Sequence, residues 1–141
     1  MTLSRRDLSL LFPVLAAARA SAQGKDPLPP KVYHNGDIPY AGDDKKKARE
    51  FFHGVNHSGF GVEAHETILG PGIQSHAPHK HEHEELVVVF EGTIETFVEG
   101  KTELAEAGSV VYFASNRMHG MRNAGSTPCR YYVVELRGSE A

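Results

Sequence analysis

The chain has 141 residues, 40% of them hydrophobic and 23% charged, with a formal charge of −3. That length suits one domain, and the lack of a basic stripe or of interleaved basic and aromatic residues argues against nucleic-acid binding. Fourteen Gly and eight Pro supply many turns, which favours a β-rich fold over a helical one.

In chain order, residues 1–22 read as a leader to be set aside. Arg5 and Arg6 precede an apolar run from Leu8 to Ala18, and Ala20 and Ala22 give an A-x-A cleavage pattern. The run is too short to span a bilayer comfortably. SRRDLSLL resembles the twin-arginine export signal, with Leu8 and Leu10 near its apolar positions. An ordinary secretory signal with adjacent arginines is the plainer alternative. Either one predicts a periplasmic or secreted protein with no membrane anchor after cleavage. The twin-arginine route carries folded proteins, so a metal could be selected before export. Removing the leader takes three Arg and one Asp from 15 basic and 18 acidic residues, leaving 12 and 17 and a charge of −5. Cys129 stands alone, so no intramolecular disulfide forms, and its plainest role is that of a small buried hydrophobe.

Residues 23–59 read as an N-terminal arm. QGKDPLPPK is an extended linker, and Asn35-Gly36 suggests a turn or a short strand. DDKKKAREFFHG predicts a helical turn or two, with Asp43 or Asp44 as N-cap and Gly54 closing it. From Phe60 the pattern changes. In GVEAHETIL, Val62, Ala64, Glu66 and Ile68 alternate with Glu63, His65, Thr67 and Leu69. LVVVFEG, TIETFVEG, KTELAEAG, SVVYFA, HGMRNAG and RYYVVELRG follow as short segments with glycine-bearing turns. Residues 60–137 therefore predict an antiparallel all-β barrel or sandwich.

The stretch HAPHKHEHEEL, residues 76–86, carries the chemistry. His79 and His81 lie one residue apart, so on an extended chain both point to one face. Glu85 shares their parity. A second segment, GSVVYFASNRMHGMRN, brings His119. Three imidazoles and a carboxylate suit Fe, Mn, Co, Ni, Cu or Zn rather than Ca or Mg. A solvated polar loop is the bland reading of a histidine run, but it leaves His119 unexplained.

These residues resemble the cupin family. Its first motif, G-x5-H-x-H-x3–4-E-x6-G, matches at His79, His81, Glu85 and Gly92. The opening glycine is one residue out, since Gly72 lies seven before His79. Its second motif, G-x5-P-x-G-x2-H-x3-N, matches at Gly108, His119 and Asn123. Ala114 replaces the proline and Asn116 the second glycine; Asn tolerates positive φ better than most residues. The resemblance covers residues 60–136. It implies a conical jelly-roll barrel in which His79, His81, Glu85 and His119 converge on one divalent transition metal ion, with two coordination positions open. It also implies a homodimer.

The register carries an ambiguity, because His81 and His83 form a second H-x-H pair. The family spacing places His83 behind the ligands or at the rim instead. Val87 and Val89 share the parity of Glu85 and should line the interior. Met121 reads as core or pocket, and Asn123 as a tie for the backbone at a turn. His65 and His76 read as surface or satisfied histidines, or as groups serving a ligand. Arg117 reads as exposed, or as aimed at a substrate carboxylate.

The functional expectation is a metal-dependent enzyme acting on a small organic molecule, with dioxygenase-like oxidation foremost and lyase or isomerase chemistry open to the same ligands. Glu85 could alternate between ligation and general base. The competing expectation is a non-catalytic periplasmic module that binds a small molecule or a metal.

Overall fold

The computed structural model describes residues 26–139, so the leader read at 1–22 lies outside the described residues. Among the described residues nine strands follow one another: β1 (Ala41–Gly42), β2 (Lys46–Val55), β3 (Phe60–Leu69), β4 (Glu84–Glu91), β5 (Thr93–Val98), β6 (Lys101–Glu106), β7 (Val110–Phe113), β8 (His119–Asn123) and β9 (Cys129–Ser139). All pair antiparallel. They form a six-stranded sheet in the order β1-β2-β3-β9-β4-β7 and a three-stranded sheet in the order β6-β5-β8. The segment before β4 runs along the free edge of β8, through bridges Gln74–Arg122 and His79–His119.

Alternation decides what each sheet buries. From the large sheet, Leu69, Val87, Val89, Tyr131 and Val133 point inward; from the small one, Ile94, Ala105 and Met121 meet them. Val87 and Val89 thus line the interior, as their parity predicted. Cys129 is fully buried in the same cluster.

Gly92 turns β4 into β5 at φ 79°, and a Cβ there would lie 2.8 Å from that of Cys129. Both the turn and the close approach require glycine. Asn116 adopts φ 57°, the left-handed conformation expected of a residue standing in for glycine.

The helical turn expected within Asp43–Gly54 is instead strand β2, paired with β3 along its length. Asp43 does cap, accepting from the backbone N–H groups of Lys45 (2.8 Å) and Lys46 (2.9 Å), but the chain leaves this Asx turn extended. Pairing opposite β3 outweighs local propensity: Arg49 faces Glu66 in the register, and both side chains are buried in an ion pair. Gly54 ends no helix. It makes room for Leu28, whose Cδ2 would lie 2.7 Å from an added Cβ. The arm therefore contributes two strands to the large sheet.

The stretch before β1 packs across the outer face of β2 and β3. Leu28 N–H donates to Val55 O (2.9 Å), Tyr33 meets Phe52 with ring centroids 5.2 Å apart, and Tyr40 Oη donates to Glu66 (2.9 Å). Asn35-Gly36 lies in a short 3₁₀ turn, Asn35–Asp37. Because the arm covers one face and the core the other, β3 carries buried residues of both parities.

Candidate metal centre

Glu85 sits at the start of β4 with its side chain turned inward. His79 and His81 precede it on the extended segment that borders β8, and His119 opens β8. The ring centroids of the three histidines form a near-equilateral triangle, at 5.0 Å (His79–His81), 4.9 Å (His79–His119) and 4.7 Å (His81–His119). Ligand atoms of the three lie within 4.8 Å of one another. The Glu85 carboxylate closes the group: Oε1 is 3.2 Å from His81 Nε2 and Oε2 is 3.6 Å from His119 Nε2.

Backbone carbonyls orient two of the rings. His81 Nδ1–H donates to His83 O and His119 Nδ1–H to Arg117 O, each at 2.8 Å. A carbonyl oxygen only accepts, so Nδ1 carries the proton and Nε2 presents a lone pair. Both Nε2 atoms are buried and have no hydrogen-bond partner. Phe113 holds the His119 ring from one side, stacked at 4.4 Å. His79 Nδ1 is likewise buried without a partner. Burial pushes the His79 imidazole below its ordinary pKa, with His76, His119 and His81 adding to the effect, so this ring favours its neutral, ligating form.

Lone pairs of two imidazoles therefore face the oxygens of one carboxylate with no proton placed between them. Acceptor atoms so arranged repel one another, and each buried orphan costs about 1–3 kcal/mol. A cation at their centre removes both penalties. Ligands about 2.1 Å from a transition ion stand about 3 Å from their neighbours, close to the spacings seen. The donor set fits such an ion.

His83 belongs to a second cluster of donors with His81 and Glu85. Its ring stacks on His81, parallel within 4° at 3.5 Å. Lone pairs lie in the ring plane, so those of two stacked imidazoles run side by side and do not converge. Burial lowers its pKa as well. His83 Nε2 stands 3.7 Å from Glu85 Oε1 and 3.6 Å from Glu135 Oε2, linking the centre to the next strand.

The four candidate ligands, except His119, border a cavity of about 250 Å³. Thr67, Ser75 and Tyr131 also line it, and the exposed Lys46 borders it. Burial holds the Tyr131 phenol strongly toward its neutral form. His65 and His76 also line the cavity. His65 Nδ1 is 2.9 Å from a Glu63 oxygen, and the His76 ring meets His79 edge-on at 4.1 Å. Arg117 is exposed and outside the cavity. Met121 is buried and touches the cavity. Asn123 ties backbone, donating to Leu69 O (3.0 Å) and Thr127 O (2.7 Å) and accepting from Gly125 N–H (2.8 Å).

Sequence reasoning missed a row of acids. Glu63, Glu135 and Glu85 occupy paired positions on β3, β9 and β4, and Glu63, His65 and Glu135 form a further donor cluster. Burial raises the Glu63 carboxyl above its usual range, and the His65 contact opposes that. Burial also disfavours charge on Glu135, but Arg137 (Nε to Oε2, 3.0 Å) and His83 outweigh it and hold that carboxyl low. The signal was parity: Glu135 continues the inward series Tyr131, Val133, as Glu63 does with His65 and Thr67.

No curated protein matches the sequence. Solved structures share the fold at low identity. A KdgF protein from Halomonas sp. aligns with TM-score 0.65 and 17% identity, over 78% of this chain and 96% of its own. A predicted oxalate decarboxylase from Thermotoga maritima aligns with TM-score 0.63 and 19% identity, over 77% and 100%. The polyketide cyclase RemF from Streptomyces resistomycificus aligns with TM-score 0.61 and 19% identity, over 81% and 83%. The cupin domain model Cupin_2 matches residues 65–135, which include every candidate ligand, and the chain belongs to that family.

Proposed function

We propose that this chain is an exported metal-dependent enzyme in which His79, His81, Glu85 and His119 hold one divalent transition ion and a small polar molecule occupies the adjoining cavity. The observation that carries the reading is the pair of orphaned Nε2 atoms, on His81 and His119, turned toward the two oxygens of Glu85. When bound, the ion supplies Lewis-acid or redox chemistry at any coordination position the protein leaves open. The chain's own groups orient that ion and shape the space beside it. Carbonyls fix the His81 and His119 rings, Phe113 stacks on the latter, and the hydroxyls of Thr67, Ser75 and Tyr131 border the space a substrate would enter.

Oxidation using dioxygen is the reaction class we favour: the donor set accepts redox-active ions such as iron and manganese as well as zinc. Similar folds include a predicted decarboxylase and a cyclase, so the fold alone assigns no reaction. The test is metal analysis of protein recovered from its native host, followed by dioxygen uptake with catechols, flavonols, diketones and thiols. One ion of iron or manganese per chain and uptake with any of these supports the reading. Saturable binding without turnover would favour the non-catalytic module instead, and metal-free protein that gains no ion on reconstitution would end the proposal.

A further inference from the structure

We propose that the cavity selects a small carboxylate and that Lys46 is the residue that recognises it. This rests on the metal centre proposed above, because the substrate is taken to lie between that centre and Lys46.

Among the described residues lining the cavity, Lys46 carries the one ammonium or guanidinium group. It begins β2 directly opposite Leu69, whose side chain is fully buried, and paired residues share a face, so Lys46 projects to the inner side. Its backbone is fixed at the turn: Asp43 Oδ1 accepts from the Lys45 and Lys46 N–H groups, and Asp43 N–H donates to Lys46 O (2.9 Å).

The charge at its tip is left unneutralised. Lys46 Nζ donates to the backbone carbonyl of Ser75. Among the described residues no carboxylate forms an ion pair with it. The acids nearby have other partners: Asp43 serves the backbone, Glu135 meets Arg137, and Glu85 meets the histidines. A carbonyl orients an ammonium without cancelling its charge, so the cavity's border presents a positioned cation. Glu85 and Glu135 line the cavity too, level with Glu63 and six residues along β3 from Leu69, the partner of Lys46. An occupant is thereby oriented with its anionic end at Lys46 and its neutral oxygens toward the metal centre. Hydroxyl groups on the wall between suit a hydroxy- or oxo-acid over a hydrocarbon chain. A cavity of about 250 Å³ lies below the range typical of drug-sized ligands, about 300–1,000 Å³, which favours a small acid over a large one.

Glycolate and its neutral isostere glycolamide separate charge recognition from shape. Calorimetric titration of zinc-loaded full chain should show glycolate binding at least about tenfold tighter than glycolamide. Lys46→Met should erase that preference by weakening glycolate alone, and Lys46→Arg should restore most of it. A merely structural Lys46 would change both ligands together. Equal binding of the two ligands by the wild type, no binding of either, or a preference that survives in Lys46→Met overturns the proposal. Metal content is measured on the same samples. A wild type without bound zinc sinks the metal centre, and the ligand preference of that metal-free protein still decides the role of Lys46.

Discussion

His79 and His119 exchange both of their backbone hydrogen bonds, His79 N–H to His119 O at 3.0 Å and His119 N–H to His79 O at 2.9 Å. Residues paired in this way place their side chains on one face, so main-chain pairing, not a bound ion, brings two distant candidate ligands together. The site is therefore preformed. Stripping metal with a chelator should leave the far-ultraviolet circular dichroism unchanged while lowering Tm, since an ion bound only by the folded state stabilises it by mass action. His119→Ala and His79→Ala should each abolish stoichiometric metal, whereas His83→Ala should retain it. Retention in His79→Ala with loss in His83→Ala would show that the second H-x-H pair is the ligating one.

A second expectation concerns pH. Burial raises the Glu63 carboxyl, so the folded state binds that proton more tightly than the unfolded chain does. The sign follows: the Glu63 contribution to stability is complete below its ordinary carboxylate range and is lost as pH rises through the raised value. Glu135, held low, acts oppositely and loses its contribution as pH falls below that range. Glu63→Gln keeps a neutral group in place, so it should flatten the decline above the ordinary range and leave the acid limb intact. Urea unfolding from pH 3 to 8 measures this. An unchanged profile in the variant would show that Glu63 is ionised in the fold.

The glycine-like positions give a third. Gly92→Ala places a Cβ 2.8 Å from Cys129 Cβ at positive φ, where neither neighbour is free to move. It should cost about 2–3 kcal/mol, combining strain and overpacking. Asn116→Gly should be nearly neutral, because Asn already occupies the left-handed region, while Asn116→Val should cost about 1–2 kcal/mol. Equal stability of the two Asn116 variants in denaturant titrations would contradict the φ argument.

A fourth prediction concerns association. The outer face of β9, β4 and β7 is apolar: Val134, Leu86 and Tyr112 form one row, and Tyr132, Val88 and Val110 the next. Val110 is 61% and Phe90 54% exposed, and β7 is the open edge of the sheet. An unpaired edge beside an apolar face suits self-pairing with a second copy. Light scattering should give a dimer, and Val110→Lys should give a monomer with an unchanged circular dichroism spectrum. A wild-type monomer at micromolar concentration refutes the assignment.

The barrel region was legible because its strands alternate and its turns carry glycine. The gathering of the candidate residues was legible because parity on extended chain is a local property of His79, His81 and Glu85, and His119 sits at a spacing the family shares. What escaped was set by pairing over distance. Local composition in DDKKKAREFF favours helix, and only Glu66 on β3 makes Arg49 a buried strand residue. Glu63 and Glu135 are each ordinary strand acids until β3 and β9 are set in register. Lys46 joins the cavity only because β2 lies beside β3.

That last dependence yields a direct test through the buried pair. Arg49 and Glu66 are 7% and 0% exposed, and Glu66 also accepts from Tyr40 and meets Arg130 at 3.4 Å. Arg49 in turn donates to Asn35 O (2.6 Å) on the arm. Removing one member leaves a buried charge without its main partner, so Arg49→Met should cost about 3–5 kcal/mol. Glu66→Leu alone should cost a similar amount. The double variant should recover much of the loss, because apolar side chains can fill the space without an uncompensated charge. If the arm docks chiefly through this network, protease cleavage between residues 26 and 42 should quicken in Arg49→Met and in the double variant alike. Cleavage as slow as in the wild type would show that Leu28 and Tyr33 hold the arm without the ion pair.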